Sequence, residues 1–335
     1  MNHYVDGQSM LSIQKTNALK GILAICVLIS HLYSIFHFEN KILNWVVGSL
    51  MGYLSVSLFF FLSGYGLESS YEKKKDIYIE KFMKRKIIPF YTIYIILVGI
   101  YVGMRFIIGE NISVSDIMKS LIYGGTEVKF GWFLQTILVL YLIFWISFQV
   151  NVCGGGGEKY KILLCTIGEI VFCIGSYVFE MDTTWYATSV CFLLGVYWKY
   201  FEKRIIKKME RLAVRIAFVG VCLCFAGIGI LIANNLFSGR SSDMMQIMVT
   251  SIFFTIAFIL IVVDINIENI ITDRLGKISF EIYVLQGLFF ILVEQLKIKS
   301  PVLSVLLICV GTIGLSVFVQ PIFSRINEKV REYME

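Results

Sequence analysis

The chain has 335 residues, of which 57% are hydrophobic, 16% are charged and three are proline, and its net charge is +6. A soluble domain of this size carries about 25% charged residues to cover its surface, so a water-soluble globule is excluded. The basic excess is spread over membrane-flanking segments and gives no reason to invoke nucleic acid.

Ten apolar runs of roughly 17 to 25 residues can be placed, the length that crosses a hydrocarbon core of about 30 Å. They lie near 19–36, 45–67, 87–108, 132–150, 162–179, 185–200, 213–235, 245–264, 279–296 and 301–323, the sixth being the shortest. Each must be a helix, because in lipid every backbone N–H and C=O has to be paired within its own segment, and the short alternating strands of a barrel are absent. The first run is preceded by a short polar stretch and followed by no small-residue cleavage pattern, so it is expected to stay in the protein. The polar gaps 68–86, 109–131 and 200–212 read as loops or interfacial segments. No inverted repeat is visible.

Charge gives the orientation. With the N-terminus inside, 23 of the 30 Lys and Arg residues fall in cytoplasmic segments, among them Lys73, Lys74, Lys75, Lys81, Lys84, Arg85 and Lys86. Lysine and arginine are retained on that side. The expectation is an all-α polytopic transmembrane helix bundle of about ten helices, both termini cytoplasmic, forming a single integral membrane domain over 1–335.

Eight cysteines, at 26, 153, 165, 173, 191, 222, 224 and 309, show no CxxC or zinc spacing and read as small core residues; no metal is expected. Gly154–Gly157 has no Lys-Ser/Thr after it and reads as a linker, not a phosphate loop.

Function must come from polar groups placed where they are costly. In the first helix Lys20 and His31 are eleven residues apart, which puts them on one face to within roughly 20° and separates them by about 16 Å along the axis. Lys20 then faces the cytoplasmic mouth while His31 lies near the bilayer centre. Histidine suits proton transfer at neutral pH, and an ionisable group inside a membrane is a functional candidate. A neutral histidine bonded between helices fits the spacing equally well. Arg105, Glu169, Glu281 and Glu294 are further polar groups in or beside helices; Arg105 and Glu294 both fall in the outer half and could pair or line an entrance.

Several stretches, in order, resemble the acyltransferase family 3 membrane O-acyltransferases. Leu19-Lys20-Gly21 to His31 keeps that family's spacing from a basic residue to a histidine, with Lys for the more frequent Arg. Leu54-Ser55-Val56-Ser57-Leu58-Phe59-Phe60-Phe61-Leu62-Ser63-Gly64-Tyr65 is similar to the end of its second helix, departing at Ser57, where an acid is common. Lys84-Arg85-Lys86-Ile87-Ile88-Pro89 and Gly131-Trp132-Phe133-Leu134 are similar to the openings of its third and fourth helices. Leu275 to Gln286 looks like its Gly-x-Ile-Ser-Tyr segment, with Gln286 where a histidine is usual.

The resemblance implies transfer of an acyl group, usually acetyl from cytoplasmic acetyl-CoA, to a hydroxyl of a cell-envelope saccharide or related molecule, in a bacterial cytoplasmic membrane. His31 is then the general base or a transient acyl carrier. Acetyl-CoA enters as donor substrate with no permanently bound cofactor; Lys81, Lys84, Arg85 and Lys86 are placed to hold its phosphates, and Lys20 its pyrophosphate or thioester. Trp132, Tyr283, Ser63 and Arg105 are expected along the acyl tunnel or acceptor path. For Ser63 and Gly64 close helix packing competes with that role, and for Trp132 and Tyr283 interfacial anchoring does. Two other readings stay open: a transporter or flippase of a polar lipid or sugar, and a non-catalytic partner subunit, to which the departures at Ser57 and Gln286 point.

Overall fold

The computed structural model describes residues 9–33, 40, 42–43, 46–123, 127–154, 157–236 and 239–334, and every regular element among them is helical. In chain order these are α1 (Ile13–Leu32), a π-helical turn (Val46–Tyr53) leading into α2 (Leu54–Lys74), the short α3 (Asp76–Glu80), and a second π-helical turn (Met83–Ile87) leading into α4 (Ile88–Ile107). Then come α5 (Val114–Tyr123), α6 (Trp132–Gly154), α7 (Glu158–Val178), α8 (Thr183–Ala187), α9 (Val190–Met209) and α10 (Leu212–Leu236). The chain ends with α11 (Arg240–Val262), α12 (Ile270–Lys277), α13 (Ser279–Gln295) and α14 (Pro301–Met334).

The described residues of all ten apolar runs are almost entirely helical, the sixth being interrupted by a turn at 188–189. Eight helices among the described residues are long and apolar enough to cross a membrane, and α12 with α13, bent by 66°, make a ninth if they are one span. The sixth run, whose later part opens α9, does not qualify by composition, because α9 carries Lys199, Glu202, Lys203, Arg204, Lys207 and Lys208. The polar gaps, expected as loops or interfacial segments, are partly helical: α2 runs on to Lys74, α5 takes Val114–Tyr123 within the gap at 109–131, and α9 continues to Met209. The last helix likewise extends eleven residues past the expected end at 323. A charged helix is invisible to a hydropathy reading yet pairs its backbone groups as well as an apolar one does.

Local chemistry sets the ends. The Ser12 side chain caps α1 by accepting from the Lys15 N–H at 3.0 Å, and Asn269 and Thr272 form a reciprocal capping box on α12. Pro89 opens α4, where its missing N–H costs nothing. Lys15 donates to the carbonyls of Val262 and Val263 at 3.3 and 2.7 Å, placing a cation on the C-terminal dipole of α11.

Glycines set the two tightest crossings. A Cβ on Gly64 would overlap the Phe192 carbonyl, and one on Gly195 the Phe61 carbonyl, so α2 and α9 cross with their backbones in contact. A Cβ on Gly21 would lie 2.6 Å from the Gly276 nitrogen, and one on Gly276 would overlap the Asn17 carbonyl. Two of the family-like motifs, at 19–21 and 275–277, thus meet in space.

The N-terminal segment is tied down by a buried polar network. Glu202 accepts from the Met10 N–H at 2.8 Å and from the Tyr65 hydroxyl, and Lys199 pairs with Glu202 at 2.5 Å and Glu72 at 3.1 Å. Outside, large apolar side chains such as Phe106, Ile107, Val171, Phe225, Leu231, Val310 and Phe318 are exposed. Such a surface would aggregate in water but matches hydrocarbon, so the chain is a polytopic membrane protein. Of the seven cysteines whose side chains are described, all are free; Cys165, Cys191 and Cys222 are buried as expected, whereas Cys224 faces outward from α10.

Candidate active site

The start of α1, the α12–α13 bend and the end of α14 meet at one end of the bundle. Between them and α2, α4 and α6 lies an inner cavity of about 420 Å³. Three residues expected from the sequence line it: Lys20, Ser63 and Tyr283. Glu281, which stands inside a quoted motif, and Asn17, Gln320, Ser324 and Asn327, which do not, add to the polar lining. Glu281 Oε2 and Asn327 Oδ1 are buried without hydrogen-bond partners, and unmatched buried acceptors of this kind are costly unless a ligand or water meets them.

Cations gather at this end. Lys86 lies within electrostatic reach of Lys20, Arg331 and Lys74, and among the described residues none of the four forms an ion pair with a carboxylate. Lys81, Lys84, Arg85 and Lys86 are all exposed on the adjoining segment. Of that expected cluster, Lys86 lies within electrostatic reach of Lys20 and of the ends of α2 and α14.

His31 sits in the last turn of α1, beside α13. Its ring stacks on Phe130 with centroids 3.8 Å apart and planes within 7°, and meets the edge of Phe290 at 6.4 Å. His31 Nδ1 lies 3.0 Å from Gln286 Oε1. The proton on that bond can be assigned. Gln286 Nε2 donates to the Tyr283 carbonyl at 3.0 Å, which accepts only, so the amide oxygen faces the imidazole. An amide oxygen accepts only, so Nδ1 carries the hydrogen and Nε2 is the basic nitrogen. Gln286 is fully buried, which holds this arrangement away from competing water.

Tyr283 links the cavity to the imidazole. Its ring lines the cavity, its carbonyl orients Gln286, and its hydroxyl donates to the Phe130 carbonyl at 2.6 Å. Phe130 has a φ of +65°, unfavourable for a residue with a Cβ, and the Tyr283 bond together with the stack on His31 holds it there. His31 itself is not part of the cavity lining; one turn of α13 stands between.

The family model Acyl_transf_3, an acyltransferase domain, matches residues 13–320. The chain belongs to acyltransferase family 3. It is a multi-pass membrane acyltransferase, and the matched region includes Lys20, His31, Lys86 and Gln286. No curated protein and no solved structure matches the chain.

The remaining expected residues of this acyltransferase fall elsewhere. Trp132 does not line the cavity; it stacks on Trp185 at 6.0 Å and abuts the edge of Phe133, which does. Arg105 lies at the far end of the bundle, where it bonds Glu110 at 2.9 Å and faces Glu127 at 3.7 Å. Arg105 and Glu294 share a lining there but do not pair with each other, because Glu294 is held by Lys129 at 2.5 Å. Ser57 donates to the Tyr53 carbonyl and is hydrogen-bonded to the Ser251 hydroxyl, both at 2.8 Å, inside the packing of α2 on α11. Gly64 is a packing residue, whereas Ser63 reaches the cavity. Sequence reasoning missed Phe130 and the role of Gln286, although Gln286 stood inside a quoted motif.

Proposed function

We propose that the protein transfers an acyl group, acetyl in the simplest case, from cytoplasmic acyl-CoA to a hydroxyl of a cell-envelope saccharide or related molecule, with His31 as general base. The observation that carries this reading is the His31–Gln286 bond, which leaves Nε2 basic one helical turn from a polar cavity. In the transfer, Nε2 takes the proton from the acceptor hydroxyl as its oxygen attacks the thioester carbonyl; the carbon–sulfur bond breaks, and the thiolate takes the proton from Nε2–H. Gln286 keeps Nδ1–H oriented throughout, the role that a third group plays behind a catalytic histidine. Tyr283 is the wall that the acyl group must meet before it reaches the imidazole.

The unpaired cations Lys20, Lys74, Lys86 and Arg331 support entry of the donor from the same end, since phosphates are best held by charge-assisted hydrogen bonds. Lys81 and Lys84 would act there only as outlying charge. The positive-inside distribution of basic residues supports calling this end cytoplasmic. Transport is not carried further, because membership of an acyltransferase family favours chemistry over translocation.

The test is release of free thiol from acetyl-CoA by the purified chain in nanodiscs, with His31→Ala alongside. Release that needs His31 supports the reading. Acetyl-CoA that neither binds nor is consumed in the presence of envelope extract would sink it in favour of a non-catalytic role.

A further inference from the structure

The donor cavity stops short of the base that its guest must reach. Tyr283 lines the cavity and His31 does not, so a thioester meets the imidazole only after Tyr283 has given way. We infer that Phe130 is a positioning residue that couples the two: it keeps the imidazole covered while no donor is bound and releases it when the donor displaces Tyr283. This deepens the proposed function and rests on it for the identity of the donor.

The turn that carries Phe130 is built at a cost. Val128 to Gly131 form a tight turn, closed by the Gly131 N–H donating to the Val128 carbonyl at 2.8 Å. Its third residue, Phe130, has a φ of +65°, a conformation that such turns ordinarily leave to glycine or asparagine. Glycine stands one place further on, at Gly131, where a Cβ would come within 2.8 Å of the Val128 side chain and carbonyl. Two neighbouring positions thus call for glycine and one of them carries a large aromatic ring instead. A strained residue persists where its surroundings over-determine it, and the strain points to a function for the side chain kept there.

The contacts show what the ring is kept for. It lies on the imidazole with centroids 3.8 Å apart and planes 7° from parallel, while the Phe130 carbonyl accepts from the Tyr283 hydroxyl at 2.6 Å. One residue is tied by its ring to the base and by its backbone to the cavity wall. The frame behind it is fixed. A Cβ on Gly287 would lie 2.7 Å from the Lys129 carbonyl, so the turn rests against α13 one residue from Gln286, and Val128 is buried. Tyr283 by contrast faces the cavity, the side from which a guest can push it. When its ring swings aside, the hydrogen bond to Phe130 is lost, the left-handed backbone has one holder fewer, and the aromatic ring slides off the imidazole. Until then the face of the base stays covered, which keeps the thioester from being lost to water.

NMR of the full chain in nanodiscs, with the histidine rings isotopically labelled, tests the coupling without turnover. An aromatic ring stacked face to face on an imidazole shifts its C–H protons upfield, and the signal of His31 is told apart from those of His3 and His37 with His31→Ala. The donor is represented by the dethia analogue of acetyl-CoA, in which a methylene replaces the sulfur, and its binding is followed by saturation transfer to the analogue itself. In the parent the His31 signal is expected upfield and should lose at least half of that displacement when the analogue saturates. Tyr283→Phe, which keeps the ring and removes the hydroxyl, should lose a comparable part with no analogue present, and Phe130→Leu should abolish both the displacement and the response. A His31 signal that bound analogue leaves unmoved overturns the inference on the parent chain alone, whether or not the variants fold. So does a Tyr283→Phe signal that matches the parent. If the analogue does not bind, the donor reading fails, and Tyr283→Phe in the unliganded chain still decides whether Phe130 couples the wall to the base.

Discussion

At one end of the bundle Lys20, Lys74, Lys86 and Arg331 gather with no carboxylate against them among the described residues, whereas at the opposite end Arg105 and Lys129 each hold a carboxylate within 2.9 Å. Like charges brought together repel, and the folded chain tolerates this only where solvent or a counter-charged ligand offsets it. Paired charges in a cleft offer an anion little net attraction. The contrast fits the proposed entry of a polyphosphate donor at the end that carries the unpaired cations.

The largest effect should come from His31, between those ends. His31→Ala is expected to lower acceptor-dependent thiol release by about 10²- to 10⁴-fold, the usual contribution of a positioned acid or base, with acetyl-CoA affinity nearly unchanged. Gln286→Leu removes the acceptor that fixes Nδ1–H and should cost about 10- to 100-fold in kcat, while Gln286→Glu, which also accepts from Nδ1–H, should restore most of it. Equal losses in the two Gln286 variants would show that the residue acts by packing, and the assignment of Nε2 as base would fall.

Next in size is the test of the inner end. Lys20→Ala and Lys86→Ala each remove a charged hydrogen-bond donor worth about 1.5–3 kcal/mol, so the KM for acetyl-CoA should rise about 10- to 100-fold while kcat moves little. Added salt should weaken donor binding to the parent more than to either variant, because part of the attraction is screened. If Arg105→Gln raised the acetyl-CoA KM as much, the assignment of the donor to the inner end would be wrong.

A third prediction concerns what holds the inner end together. Gly276→Ala drives a methyl group into the Asn17 carbonyl. Overpacking of this kind costs about 1–3 kcal/mol. The melting temperature of the variant in nanodiscs should fall, and the acetyl-CoA KM should rise with it, since Asn17, Lys20 and Gly276 share the cavity wall. A variant as stable as the parent would mean that α1 and α12 can part without cost.

How much of this was legible follows from which forces leave a mark on sequence. Burial in lipid demands apolar runs, so the apolar helices could be placed, although eight or nine of them rather than ten qualify as spans among the described residues, and the Lys20–His31 spacing survives because both lie on one continuous helix. The 66° break between α12 and α13 left only the motif around Gly276 as a sign. The polar end of α14, which brings Ser324 and Asn327 to the cavity, reads as an ordinary terminus because nothing local distinguishes a solvated helix from a docked one. Phe130 could not be foreseen: its backbone conformation is imposed by Tyr283, 153 residues away, and its stacking by α1. The outer pairing likewise joins Lys129 to Glu294 across 165 residues, a contact that no periodicity encodes.

The smallest expected effect sharpens the comparison furthest. Lys81, Lys84, Arg85 and Lys86 are nearly consecutive and would pass from sequence as one phosphate clamp, and all four are exposed, but Lys86 stands within electrostatic reach of Lys20, Lys74 and Arg331. If the donor phosphates sit among Lys20, Lys74, Lys86 and Arg331, charges farther along the segment are the more strongly screened at physiological ionic strength. Lys81→Ala and Lys84→Ala should therefore change the acetyl-CoA KM by less than about twofold, against at least tenfold for Lys86→Ala. A graded loss shared equally by all three would mean that the positive-inside loop acts as a diffuse attractor, and the inner end would then differ from the outer one only in its net charge and not in holding a built phosphate site.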